Sequence, residues 1–178
     1  LSADIREWLG VEAEQMAQVM SSDIRPNYAR LPREKTPLFV SSDTQFEIGK
    51  AYVLREGSDI ALFGTGVMTY QLLLAAEKLA EQNISAEVVH VPTIKPLDGQ
   101  TLLASAKKCG RVLTAEEGQI AGGFGGAIAE LLSEQAPMLL RRVGVRDTYG
   151  ESGTMSELWQ KHGLDVESII QNVQKMLQ

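Results

Sequence analysis

RVLTAEEGQIAGGFGGAIAE, residues Arg111 to Glu130, decides the fold. Val112 to Ala115 is a short apolar run, Glu116 and Glu117 are adjacent carboxylates, and Gly123, Gly125 and Gly126 open an amphipathic pattern over Ala127 to Leu132. A buried strand, a polar strand end and a tight helix entry, in that order, build the carboxyl edge of the sheet in an α/β protein. Function in such proteins usually sits at that edge.

Outward from this stretch the same alternation continues. Ala51 to Arg55, Ile60 to Phe63, Ala86 to Val91 and Met138 to Val145 read as strands. Leu72 to Ala80, Leu102 to Lys108 and Val166 to Leu177 carry helical spacing, the last after a polar loop. Strands and helices of these lengths in alternation imply a three-layer, doubly wound α/β sheet of about five strands, mostly parallel. Glu56-Gly57-Ser58-Asp59 is a short turn, so the first two strands are expected to pair antiparallel with each other.

The N-terminal part reads differently. Ala13, Met16, Ala17, Val19 and Met20 recur at helical spacing, and Tyr28 to Leu31 look extended until Pro32 stops the pattern. One helix and one strand cannot cover a sheet, so residues 1–36 are expected to be the tail of a preceding domain. Residues 37–50 then form a linker, and 51–178 the main domain. The chain opens inside helical material without a methionine, which suggests part of a longer polypeptide.

Composition narrows the function. The chain has 178 residues, 44% hydrophobic and 22% charged, with a net charge of -6. That is globular composition, and no apolar run approaches the roughly 18 to 20 residues of a bilayer span. Neither nucleic acid nor a membrane is an expected partner, because both need clustered Lys and Arg or long apolar segments. Cys109, the single cysteine, cannot form an internal disulfide, and a cytoplasmic protein is expected.

The motifs give modest chemistry. GTGVMT has Thr69, and GGFGGAI has Ile128, where a dinucleotide fingerprint needs its third glycine. The glycines serve helix–sheet packing, or else Gly64, Gly66, Gly123 and Gly125, with Glu117, line an anion or regulatory crevice at helix N-termini. Glu116 and Glu117 read either as a paired acid and base or as one solvated carboxylate beside one helix cap. His90, within an apolar strand, reads as a core histidine. His90 and His162 have no ligand spacing, so no metal site and no catalytic constellation is assigned. In RLPRE, Arg30 and Arg33 flank a proline at a strand end, where a guanidinium can take a phosphate or carboxylate or lie free in solvent.

Taken together, NYARLPREKTP, GSDIALFGTG, TIKPLD, LTAEEGQIAGGFGGAIAELL and VGVRDTYGESGTMSELWQKHGL resemble, in order and over nearly the whole chain, the C-terminal part of the transketolase family. The likeness is greatest to bacterial transketolases encoded in two pieces. 1-Deoxyxylulose-5-phosphate synthase and the beta subunits of 2-oxo-acid dehydrogenases are more distant. The resemblance implies two-carbon ketol transfer between sugar phosphates by an enzyme using thiamine diphosphate and Mg. Neither is expected to bind this chain alone, because the cofactor-binding domains are incomplete here. It also implies an N-terminal portion or subunit as partner, a homodimer, and a substrate-phosphate role for Arg33, supported by Arg30. Gly118 stands where many relatives carry a histidine. The alternative is a non-catalytic assembly or anion-binding domain.

Overall fold

A fully buried strand lies at the centre of the molecule. In the computed structural model, which describes residues 15–30 and 46–178, Ile60, Ala61, Leu62 and Phe63 have no exposed surface. They form β2 (Ile60–Gly64), flanked by β3 (Ala86–His90) and β4 (Arg111–Gln119). β1 (Tyr52–Arg55) and β5 (Leu139–Val145) are the edges, giving the order β1-β3-β2-β4-β5. An unbroken apolar run suits a strand covered on both faces, and burying each large side chain there contributes about 1.5 to 3 kcal/mol.

Two separate cores cover those faces. Ile60, Leu62, Val88, Leu113 and Ala115 pack beneath α2 (Met68–Ala80) and α6 (Val166–Leu177). Ala61, Phe63, Val89, Val91 and Val112 pack beneath α3 (Gly99–Cys109) and α4 (Phe124–Gln135). The period of two along each strand sends alternate residues to opposite layers, as the three-layer expectation requires.

One strand is reversed, but its neighbour differs from the expectation. β1 pairs antiparallel with β3, with Tyr52 opposite His90 and Val53 opposite Val89, and not with β2. The other pairings, β2 with β3, β2 with β4 and β4 with β5, are parallel. The turn at Glu56 to Asp59 steps over the start of β3 instead of closing a hairpin. Two strand spacings are about 10 Å, which about four extended residues can span. Ser58 and Asp59 N–H both donate to Ser85 O, at 3.0 and 2.8 Å, and Asp59 Oδ2 accepts from Ser85 N at 2.7 Å. A Cβ on Gly57 would lie 2.2 Å from Glu87 N, so only glycine passes so close to β3.

Two further departures concern the ends. Residues 155–162, read as loop, form α5 (Met155–His162), opened by a capping box in which Thr154 and Glu157 serve each other's backbone N–H. The T-x-x-E spacing carries that signal in the sequence. In the N-terminal part a helix, α1, covers 15–22, but the described residues 28–30 form no strand; Leu31 and Arg33 lie outside the described residues. Gln15 Oε1 accepts from Phe46 N at 3.2 Å, tying α1 to the chain entering β1. No helix among the described residues is long and apolar enough to cross a membrane.

Candidate functional site at the carboxyl edge

β2 and β4 are neighbours whose following helices leave for opposite sides: α2 leads to β3, and α4 leads to β5 on the other flank. That reversal opens a crevice outside the carboxyl ends of the two strands. Gly64, Thr65 and Gly66 form one bank, Glu116 to Gln119 and the turn before α4 the other. Thr65 N donates to Ala115 O across it at 3.5 Å.

β4 runs further than its apolar run, through Gln119, with a register irregularity between Ala115 and Gln119. The two glutamates are therefore within the strand, and its alternation points them to opposite layers. Glu116, 5% exposed, turns to α4: its Oε2 accepts from Phe124 N and its Oε1 from Gly125 N, each at 2.8 Å. Glu117 turns to α5 and accepts from Trp159 Nε1 at 3.2 Å. They are a helix cap and an indole acceptor, and cannot share a proton as a catalytic pair.

The Glu116 carboxylate sits where an external anion would bind the helix N-terminus. A Cβ on Gly123 would fall 2.2 Å from Glu116 Oε2, and one on Gly125 would fall 2.6 Å from Thr114 Oγ1. Both glycines are spacers for that internal cap. Asp98, Thr154 and Asp165 cap α3, α5 and α6 in turn. Of these helices only α2 starts without a side-chain cap, beside Gly66 at φ +55°. Gly64 itself is pressed against Thr69 and Leu72, where a Cβ would come within 2.8 Å of Thr69 Cα.

His90 ends β3 under α2, with Nδ1 2.8 Å from Thr69 Oγ1; burial pushes its pKa down to about 4. It is a neutral core histidine, bonded to a hydroxyl rather than to backbone alone. Asp98, the acid of TIKPLD, accepts from Ala51 N at 3.0 Å and Thr101 N at 3.1 Å, joining the start of β1 to the start of α3. Burial pushes the Cys109 thiol up to about 11, so it stays protonated at neutral pH. Arg30 is exposed on the irregular stretch before residue 31.

Sequence reasoning missed Trp159, because α5 itself was missed, and it missed the ion pair of Glu87 with Lys108. A carboxylate inside AEVVH, an otherwise apolar strand, was the available signal for the latter.

The described residues do not fit thiamine diphosphate or its metal ion. Among them no group of three or more His, Cys, Asp and Glu could hold a metal, and the α4 N-terminus that would suit a diphosphate is filled by Glu116.

A mostly parallel five-stranded sheet with one reversed edge strand and a self-capped carboxyl crevice defines a doubly wound α/β domain. Residues 49–169 match the family model of the transketolase C-terminal domain, and the chain belongs to that family. It is 46% identical to the 6-deoxy-6-sulfo-D-fructose transketolase subunit of Clostridium sp. (strain MSTE9), over 86% of this chain and 47% of that one. Against an apulose-4-phosphate transketolase subunit of Actinobacillus succinogenes the identity is 37%, over 89% and 52%. A solved split-gene transketolase, an inactive beta4 tetramer, superposes with a TM-score of 0.88 at 38% identity, covering 94% of this chain and 54% of that one. The chain spans about half the length of the curated relatives it matches.

Proposed function

We propose that this chain is the C-terminal portion of a thiamine diphosphate- and Mg-dependent transketolase that moves a two-carbon ketol unit between sugar phosphates in cytoplasmic carbohydrate metabolism. One observation carries the reading: relatives named as transketolase subunits align along most of this chain yet extend to about twice its length. The cofactor is held by other parts of the complete enzyme. An N-terminal portion or subunit is the partner, and the active form is dimeric in each.

Within that assembly residues 1–36 belong to the cofactor-binding domain, 37–50 link, and 51–178 assemble the subunits. Arg33, with Arg30 in support, holds the anionic end of the sugar, while Gly64, Gly66 and Glu117 edge a crevice that is structural on one bank. The similar split-gene protein is an inactive beta4 tetramer. That supports self-association without turnover when the C-terminal piece is alone.

The test is reconstitution. The chain alone should show no ketol transfer, and addition of an N-terminal transketolase subunit with thiamine diphosphate and Mg should restore it. In the active complex Arg33→Ala should raise KM for phosphorylated acceptors by about ten- to a hundredfold, the worth of one charge-assisted phosphate contact, and leave unphosphorylated acceptors nearly unchanged. Equal loss on both would remove Arg33 from the substrate site.

A further inference from the structure

Residues 46–51 lead the chain into β1, and side chains from α1, β1 and the start of α3 hold that short segment by its backbone. Gln15 Oε1 accepts from Phe46 N at 3.2 Å, Tyr52 Oη from Glu47 N at 3.0 Å, and Asp98 Oδ2 from Ala51 N at 3.0 Å. Between the outer two the backbone turns on itself, with Lys50 N donating to Glu47 O at 3.2 Å. Gly49 sits in the turn at φ +84°, and a Cβ there would come 3.2 Å from Pro96 Cγ. Ala51 and Leu97 then pack against the core beneath α3 and α4. A flexible linker makes no such contacts. This segment is a joint, seated on residues 96–98.

Asp98 has a second attachment. Its Oδ1 accepts from Thr101 N at 3.1 Å and its Oδ2 from Thr101 Oγ1 at 2.9 Å, so the carboxylate that caps α3 also holds the joint. The cap alone would be served by Ser, Thr or Asn. Two acceptor oxygens with no donor between them serve cap and joint together. Burial pushes the Asp98 carboxyl up, but the N–H groups of Ala51 and Thr101 outweigh it and hold the group below the usual carboxylate range. Both oxygens therefore accept at neutral pH.

We propose that Asp98 is a positioning residue for ketol transfer: it fixes how the joint leaves the main domain and so sets where the cofactor-binding part of the complete enzyme lies. The inference rests on the transketolase reading. Asp98 touches neither substrate nor cofactor in this role; it acts on alignment, where a misplacement of about 1 Å can slow a reaction about a hundredfold.

The test uses the chain reconstituted with an N-terminal transketolase subunit, thiamine diphosphate and Mg. Asp98→Asn keeps an oxygen for Thr101 N but turns an NH2 group toward Ala51 N. Exchange of the Ala51 amide should become at least about tenfold faster while the α3 amides stay protected. In the same complex kcat should fall by about tenfold, with KM for donor and acceptor within about twofold of wild type. Thr101→Val is the matched control: it removes the hydroxyl bond to the same carboxylate, leaves Ala51 held, and should lower the melting temperature slightly with kcat unchanged. Gln15→Ala loosens the other end of the joint and should also lower kcat, whereas Gln15→Glu, which retains the acceptor, should restore it; this pair decides the matter if Asp98→Asn does not fold. Unchanged Ala51 exchange or unchanged kcat in Asp98→Asn, or an equal loss of kcat in Thr101→Val, would overturn the inference while the wild-type reaction stands. A wild-type complex without turnover would instead overturn the transketolase reading, and this inference with it.

Discussion

Glu116 and Glu87 are both buried carboxylates, on strands of one sheet and facing the same helical layer, yet they are held in opposite ways. Glu116 is fixed by two backbone N–H groups at 2.8 Å, donors that cannot move without unwinding α4. Glu87 is met by Lys108, a long, half-exposed side chain that also serves Glu56. A carboxylate fixed by main chain closes its end of the sheet against ligands, whereas one met by an ammonium depends on where a single side chain lies. The place that looks most like an anion site from its glycines is therefore occupied from within.

The comparison breaks most directly at Glu116. Glu116→Ala removes two charge-assisted bonds and leaves two N–H groups without partners, so a loss of about 3 to 5 kcal/mol in urea unfolding is expected. A loss below about 1 kcal/mol would mean that water replaces the cap freely, and the contrast with Glu87 would vanish.

A third buried titratable group sharpens the contrast, because burial holds His90 neutral. Its pKa is pushed down to about 4, while the unfolded chain binds the proton near pH 6.5. The native state is thus favoured fully above pH 6.5, and that advantage disappears as pH falls toward 4, by ~3 kcal/mol in all. His90→Gln should flatten this part of the pH profile; parallel wild-type and variant curves between pH 7 and pH 4 would show that the imidazole opens to solvent instead.

The smallest effects test the seat of the Glu116 cap. Gly125→Val drives a side chain into Thr114 Oγ1 and the Arg142 stem and should cost about 2 kcal/mol. Gly126, one residue on, has open space around its Cβ position, and Gly126→Ala should stabilise by about 0.5 kcal/mol through helix propensity. Thermal melts of the pair would separate a packing requirement from a glycine-rich motif as such. Equal effects would contradict the geometry.

The layers and most elements were legible in the sequence because apolar runs and helical spacing are local. Ile60 to Phe63 and Ala86 to His90 could be nothing but buried strands in that context. The partner of β1 was not legible, since a four-residue turn reads as a hairpin unless the later strand that wedges beneath it is known. α5 was hidden by a polar sequence whose only strong mark is the Thr154–Glu157 box. At the site, the adjacency of Glu116 and Glu117 was plain but their separation was not, because it depends on β4 continuing past its apolar run. Glu87 and Lys108 meet across elements with no spacing rule to announce them.

The step of Glu56 to Asp59 over β3 also bears on the order in which the sheet is assembled. β1 leaves the chain early, but the strand it needs arrives only after α2 has been traversed, so no local hairpin can be a first nucleus. β1 is the last plank laid. Pulse-labelled hydrogen exchange during refolding should show the β2 and β3 amides protected before those of β1, and simultaneous protection would mean that the plank was laid with the floor.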